Sequence, residues 1–240
     1  MNPEKIFNQH QHPIQDARYT QYCKAQLDSI GALVMENFLS VDTLESLQNE
    51  AREVRPLAYF CSQNHNAYLL DSDHSLPDEH IRNLEQQSDK GCVPHDQIPD
   101  NSPLRTLYEW HEFRVFLESV LDVPVFPYAD TLSSININYY ERGQQLGWHY
   151  DNASFAITLM VQAPEEGGEF EYLEKVRNKE AGEQGYADTE AVIKGSLQPK
   201  TLAMGDGALV LFRGRNSLHR VAPVVSDHAR ILVTLNFNTE

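Results

Sequence analysis

His149 and Asp151, two residues apart, carry the first chemical signal in this sequence. On an extended segment, side chains at i and i+2 point to the same face. His149 and Asp151 can therefore aim at one ion while Trp148 and Tyr150 face away. A third ligand from a neighbouring strand would complete a set of two imidazoles and one carboxylate. Such a set leaves three adjacent coordination positions free, which suits non-haem iron(II) and the activation of oxygen. His219, 70 positions after His149 and in a second strand-like stretch, is the candidate third ligand.

The tripeptide alone is weak. Ten histidines and 35 acidic residues among 240 positions give about 1.5 His-x-Asp/Glu matches by chance, and one is present. The context adds weight. His149 is approached through Gly143 and Gly147, and His219 follows the turn Gly205–Asp206–Gly207 and the apolar run ALVLF. Arg230, eleven positions after His219, heads the apolar stretch RILVTLNF. A guanidinium at the head of such a strand is costly unless its charge is paired. A dicarboxylate would pair it bidentately.

These residues need strands to hold them, and the second half of the chain supplies the pattern. SININYY (134–140) alternates Ile135, Ile137 and Tyr139 against Asn136, Asn138 and Tyr140. GWHYD, FAITLMVQ, GGEFEYLEKV, TLAM, ALVLF, SLHRVAPVV and ARILVTLNF follow, seven or eight strands in all, with a turn of helix near Asp188–Lys194. The first half reads as helical. One helix runs from Ile14 to Ile30 and stops at Gly31; GALVMENFL is a short buried strand; Ser40 caps a second helix that ends before Pro56. Leu104–Leu121 is a third helix. Residues 59–103 show no sustained periodicity beyond a short helix around Leu76–Gln87, and form a candidate lid. The expected fold is mainly β with flanking helices, one domain over residues 1–240. Residues 1–12 would be flexible, and about 124–240 would form the β core.

Bulk properties narrow the partners. The formal charge is −16, and no Lys/Arg-rich run offsets it, which argues against nucleic-acid binding. No apolar run approaches a membrane span, and the polar N-terminus shows no secretory signal. Cys23, Cys61 and Cys92 are widely spaced and read as reduced thiols of a cytoplasmic protein. The sequence assigns no oligomeric state.

The order His-x-Asp, distal His, then Arg resembles the iron(II)- and 2-oxoglutarate-dependent oxygenases of the double-stranded β-helix (jelly-roll) fold, over about residues 134–238. GWHYDNASFAITLMVQAPEEGGEFEY and ALVLFRGRNSLHRVAPV are similar, more narrowly, to a bacterial branch of free-amino-acid halogenases and hydroxylases. The resemblance implies Fe(II), 2-oxoglutarate and O2 as cofactor and cosubstrates, and a small-molecule substrate. It implies metal binding by His149, Asp151 and His219, and 2-oxoglutarate binding by Arg230, Tyr140 and Asn138. Asn152, next to the carboxylate, and Arg220, next to the distal histidine, become candidate substrate contacts. The branch's halogenases replace the carboxylate with Gly or Ala to admit chloride. Retention of Asp151 therefore implies a hydroxylase. Relatives carry a tail near the substrate, whereas this sequence ends at Glu240.

The other histidines read as structural or solvated. His10 and His12 fall in the flexible start, and His65, His74, His80 and His95 match no zinc spacing. Two rival readings stay open: a non-catalytic, cupin-like metal sensor, and a hydroxylase of protein residues. Arg230 argues against the first, because a metal-only site has no need of a buried guanidinium.

Overall fold

The computed structural model describes residues 2–239. The N-terminal helices are α1 (Ala17–Ile30) and α2 (Val41–Val54), separated by strand β1 (Ala32–Met35). Asp16 caps α1 by accepting from the backbone N–H groups of Arg18 and Tyr19, and Gly31, at φ 73°, ends it. Ser40 caps α2 by accepting from Thr43 N–H. Residues 59–103, expected to lack regular structure apart from a short helix, instead form a long antiparallel pair: β2 (Tyr59–Asn66) with β3 (Glu85–Pro94). The expected helix around 76–87 is absent; those residues make turns and then the start of β3.

The expected helix 104–121 is two, α3 (Pro103–Glu109) and α4 (His111–Leu121). Trp110 breaks them by adopting extended backbone, ψ 122°, with its ring against Phe7. The start of the chain is also more ordered than its polarity predicts. Ile6, Phe7 and His12 are buried. His12 is held between Tyr19 Oη at 2.6 Å and the Glu36 carbonyl at 2.8 Å.

The remaining elements are β4 (Phe126–Pro127), β5 (Ile135–Tyr140), β6 (Leu146–His149), β7 (Ala156–Gln162), β8 (Phe170–Leu173), α5 (Tyr186–Ile193), β9 (Lys200–Leu202), β10 (Leu209–Phe212), β11 (Leu218–Val221), β12 (Arg230–Leu235) and β13 (Phe237–Asn238). The main sheet is antiparallel and runs β1-β10-β7-β12-β5-β3-β6-β11-β8-β9, with β2 added on β3; β4 and β13 pair separately. It curls on itself as a jelly roll. β3 joins the two halves, pairing β5 through Gly91–Pro94 and touching β6 through Ser88.

Parity along the strands sorts the side chains. Ile135, Ile137 and Tyr139 of β5, Ile157, Leu159 and Val161 of β7, and Ile231, Val233 and Leu235 of β12 join one core with the helices. The alternate residues Asn138, Tyr140, Thr158, Arg230, Leu232 and Thr234 line a cavity inside the curl. β12 looked uniformly apolar because both of its faces are buried. Among the described residues no helix is long and apolar enough to cross a membrane.

Candidate metal and cosubstrate site

The strand pair β6–β11 places the two histidines opposite each other, in register His219↔His149, with ring centroids 4.2 Å apart. The pairing then slips: Val221 faces Leu146, so two residues of β6, Gly147 and Trp148, stand opposite one of β11, Arg220. This bulge falls at Gly147–Trp148 and lets both Leu146 and His149 face the cavity. Gly147 is needed there, since a Cβ would lie 2.7 Å from the Gln87 carbonyl.

β6 ends at His149, so Asp151 stands just past the strand rather than on it. Backbone bonds keep the segment extended. Tyr150 N–H donates to the Ala67 carbonyl and Asp151 N–H to the Gly214 carbonyl. Tyr150 turns outward beneath the Arg177 guanidinium, 4.1 Å from its ring centre. Arg177 also donates to the carbonyls of Arg215, at 2.7 Å, and Asp151, at 3.4 Å. The carboxylate is thereby aimed inward. Asp151 Oδ1 lies 3.6 Å from His149 Nε2 and 3.5 Å from His219 Nε2. One ligand atom from each residue falls within 4.8 Å of the others, the one such cluster among the described residues.

Both imidazoles are oriented by backbone carbonyls two residues back. His149 Nδ1 contacts the Gly147 carbonyl at 2.8 Å and His219 Nδ1 the Ser217 carbonyl at 2.9 Å. A carbonyl can only accept, so each Nδ1 carries a proton and each Nε2 is turned towards the cluster. Burial, aided by the neighbouring His219 ring, lowers the His149 pKa and favours its neutral form. Burial alone would raise the Asp151 carboxyl, but the His219 and His149 rings beside it outweigh that and hold it far below the usual carboxylate range. Two imidazole Nε2 atoms and a carboxylate form a donor set that suits a divalent ion. Asp151 Oδ2 is buried and has no hydrogen-bond partner within the protein. Phe212 and Phe170 pack 4.9 Å and 5.5 Å from the His219 ring and dry that side.

Arg230 lies on the same cavity wall, 1% exposed. Its guanidinium sits 5.4 Å from the ring centre of Tyr140, its register partner on β5. No carboxylate of the described protein pairs it. Nε and Nη1 have no acceptor, and Nη2 has only the Met204 sulfur at 4.0 Å. A buried, unpaired guanidinium facing a cavity is strongly unfavourable until an anion arrives. The site residues fit a divalent ion on the His–Asp–His cluster and a carboxylate-bearing ligand on Arg230.

Asn138 lines the same wall, accepting from Lys90 Nζ at 3.0 Å. The two candidate substrate contacts stand elsewhere. Arg220 follows His219 on β11 and so faces the other side, where it donates to Glu171 at 2.5 Å and covers Trp148. Asn152 is exposed and offers only its backbone carbonyl, to Arg215. Neither lines the cavity. Residues that do line it, and that sequence patterning passed over, come from the β2–β3 pair: Cys61, Gln63, His65, Ser88 and Lys90. His65, read as a solvated loop residue, lies 6.1 Å from the His149 ring.

Fold and site together define a jelly roll with a two-histidine, one-carboxylate centre, the architecture of the 2-oxoglutarate- and iron(II)-dependent oxygenases. A sequence model of the halogenase D family matches residues 15–240, and the chain belongs to that family. No curated protein matches the sequence significantly. Solved structures with the same fold include the non-haem α-ketoglutarate-dependent carbocyclase SnoK of nogalamycin biosynthesis, at 14% identity and TM-score 0.62, covering 90% of this chain and 83% of that one. A 2OG-Fe(II) oxygenase-family oxidoreductase from Burkholderia pseudomallei is 12% identical with TM-score 0.59, covering 92% of this chain and 91% of that one. A prolyl-4-hydroxylase from Pseudomonas putida is 13% identical with TM-score 0.57, covering 92% and 99% respectively.

Proposed function

We propose that this chain is an iron(II)- and 2-oxoglutarate-dependent hydroxylase of a small molecule that carries a carboxylate, a free amino acid being the leading class. The observation that carries the reading is the conjunction of the His149–Asp151–His219 cluster with the unpaired Arg230 in one cavity of about 310 Å³. A metal sensor without a cosubstrate would leave Arg230 buried and uncompensated.

In this reading His149, Asp151 and His219 hold iron(II) on one side, and Arg230 receives the distal carboxylate of 2-oxoglutarate. Bound iron supplies oxygen activation coupled to oxidative decarboxylation of 2-oxoglutarate. The overall change is balanced: substrate C–H, O2 and 2-oxoglutarate give C–OH, succinate and CO2. The chain's own work is positioning and exclusion of water. Tyr140 and Leu232 flank Arg230, Phe170 and Phe212 wall off His219, and Asp151 keeps its face of the ion for a protein carboxylate. That occupation favours hydroxylation over halogenation, although the family is described by a halogenase.

Lys90 supports the carboxylate-bearing substrate. It lines the cavity with a neutral partner, Asn138, and no acidic residue lies within ion-pair distance of it among the described residues. Arg230 and Lys90 are the cavity's two fixed cations, against the single carboxylate of Asp151. Once a dicarboxylate has met Arg230, Lys90 is the cation left for a second anionic group. The test is succinate release over a panel of L-amino acids and their carboxamides. Stimulation by an amino acid and not by its amide is expected; stimulation by neither would refute the substrate class.

A further inference from the structure

The β2–β3 pair reaches the metal cluster through a continuous set of hydrogen bonds. Gly147 N–H donates to Ser88 Oγ at 3.0 Å. Ser88 Oγ lies 2.6 Å from His65 Nε2, and His65 Nδ1 lies 3.1 Å from the Asn66 carbonyl. The Asn66 carbonyl can only accept, so His65 carries a proton on Nδ1, and in the neutral ring Nε2 accepts from the Ser88 hydroxyl. The hydroxyl is then free to accept from Gly147 N–H. The same glycine's carbonyl takes the Nδ1 proton of His149. Ser88 is 3% exposed and Gly147 is buried, so water does not replace these contacts.

Gly147 is the bulge residue of β6, and a bulge leaves one residue outside the regular ladder. Its N–H therefore depends on a side chain for its partner, and Ser88 is that partner. We propose that Ser88 is a positioning residue of the metal site, oriented by His65. It pins the Gly147 bulge so that the Gly147 carbonyl fixes the tautomer and ring plane of His149. This rests on the metal-site reading above. It also gives the segment 59–103 a role on the metal side of the cavity rather than as a detached lid.

Redox-inert Co(II) tests this without turnover, by titration calorimetry and by its visible bands. Ser88→Ala is expected to weaken Co(II) binding about 10- to 100-fold, the usual effect of losing a contact behind a metal ligand, and to shift the bands. Ser88→Thr, which keeps the hydroxyl, is expected to restore both. Ser102→Ala is the control: it removes a buried helix cap that does not line the cavity, and should lower the melting temperature while leaving Co(II) affinity unchanged. If Ser88→Ala does not fold, His65→Ala removes the hydroxyl's acceptor instead and is expected to weaken Co(II) severalfold. Unaltered binding in whichever variant folds would overturn the proposal, as would a loss that Ser88→Thr does not repair. Failure of the wild type to bind Co(II) would instead sink the metal-site reading itself.

Discussion

Gly214 and Asp151 occupy one space: a Cβ on Gly214 would stand 1.8 Å from Asp151 Oδ2. The carboxylate ligand is therefore tied to a glycine 63 positions later. Asp151 N–H also donates to the Gly214 carbonyl, at 3.2 Å, so backbone and side chain are fixed by the same contact. Gly214→Ala is expected to displace the carboxylate and weaken Co(II) or Fe(II) binding by about 10-fold or more. Asp151→Gly in the Gly214→Ala background should relieve the clash and recover the melting temperature without recovering metal affinity. Calorimetry and thermal unfolding read both arms. Full metal affinity in Gly214→Ala would show that the two residues are not coupled.

Arg230 is buried in the cavity wall with Nε and Nη1 unpartnered, and in the proposed reaction it receives a carboxylate. Arg230→Ala is expected to raise the 2-oxoglutarate dissociation constant by about 30-fold or more, the scale of losing one partner of a buried, hydrogen-bonded charge pair. Metal affinity should stay near the wild-type value, because Arg230 belongs to β12 and the ligands to β6, β11 and the turn after β6. Titration of 2-oxoglutarate against the anaerobic Fe(II) protein measures this. An unchanged constant would remove Arg230 from the cosubstrate site.

In the proposed reaction Asp151 decides the outcome. With a protein carboxylate on the metal, the product in chloride-rich buffer should be the alcohol. Mass spectrometry should show the gain of one oxygen and no chlorine isotope pair. Asp151→Gly is expected to lose most activity, since it removes a ligand without placing substrate for another outcome. A chlorinated product from the wild type would overturn the hydroxylase assignment.

Burial lowers the pKa of His12 below its ordinary value of 6.5, partly offset by the contact with the Glu36 carbonyl. A histidine with a depressed folded pKa binds more protons when unfolded. Its contribution to stability is therefore complete above pH 6.5 and is lost as the pH falls towards the folded value. The melting temperature of the wild type relative to His12→Leu should decline on acidification from pH 7.5 to 5.5. Comparison with the variant cancels the relief of the −16 net charge, which acts on both. A constant or rising difference would contradict a neutral, buried His12.

The His149–Asp151 pair and much of the sheet were legible because their signals are local, whereas His219 was legible only through the order of segments along the chain. His149 and Asp151 share a face by spacing, and Ile135, Ile137 and Tyr139 announce a strand with one apolar side. The β2–β3 pair was not legible, for a physical reason. Its inward residues Cys61, Gln63, His65, Ser88 and Lys90 are mostly polar, and the opposite face of β2, Phe60, Ser62 and Asn64, is exposed. No apolar stripe marks either side. The misplacement of Arg220 was avoidable. If His219 faces inward, its strand neighbour faces outward, where Glu171 and Trp148 meet it. The Gly147 bulge could not be read, because a glycine in a strand does not state which partner its N–H finds.

The most direct test of the account is the visible spectrum of the protein with Fe(II) and 2-oxoglutarate in the absence of oxygen. The wild type is expected to develop a weak charge-transfer band that needs both additions. His219→Ala, which removes one of three ligands, should fold and show none. No band in the wild type, or an equal band in His219→Ala, would contradict the assignment of His149, Asp151 and His219 as an iron site that chelates 2-oxoglutarate.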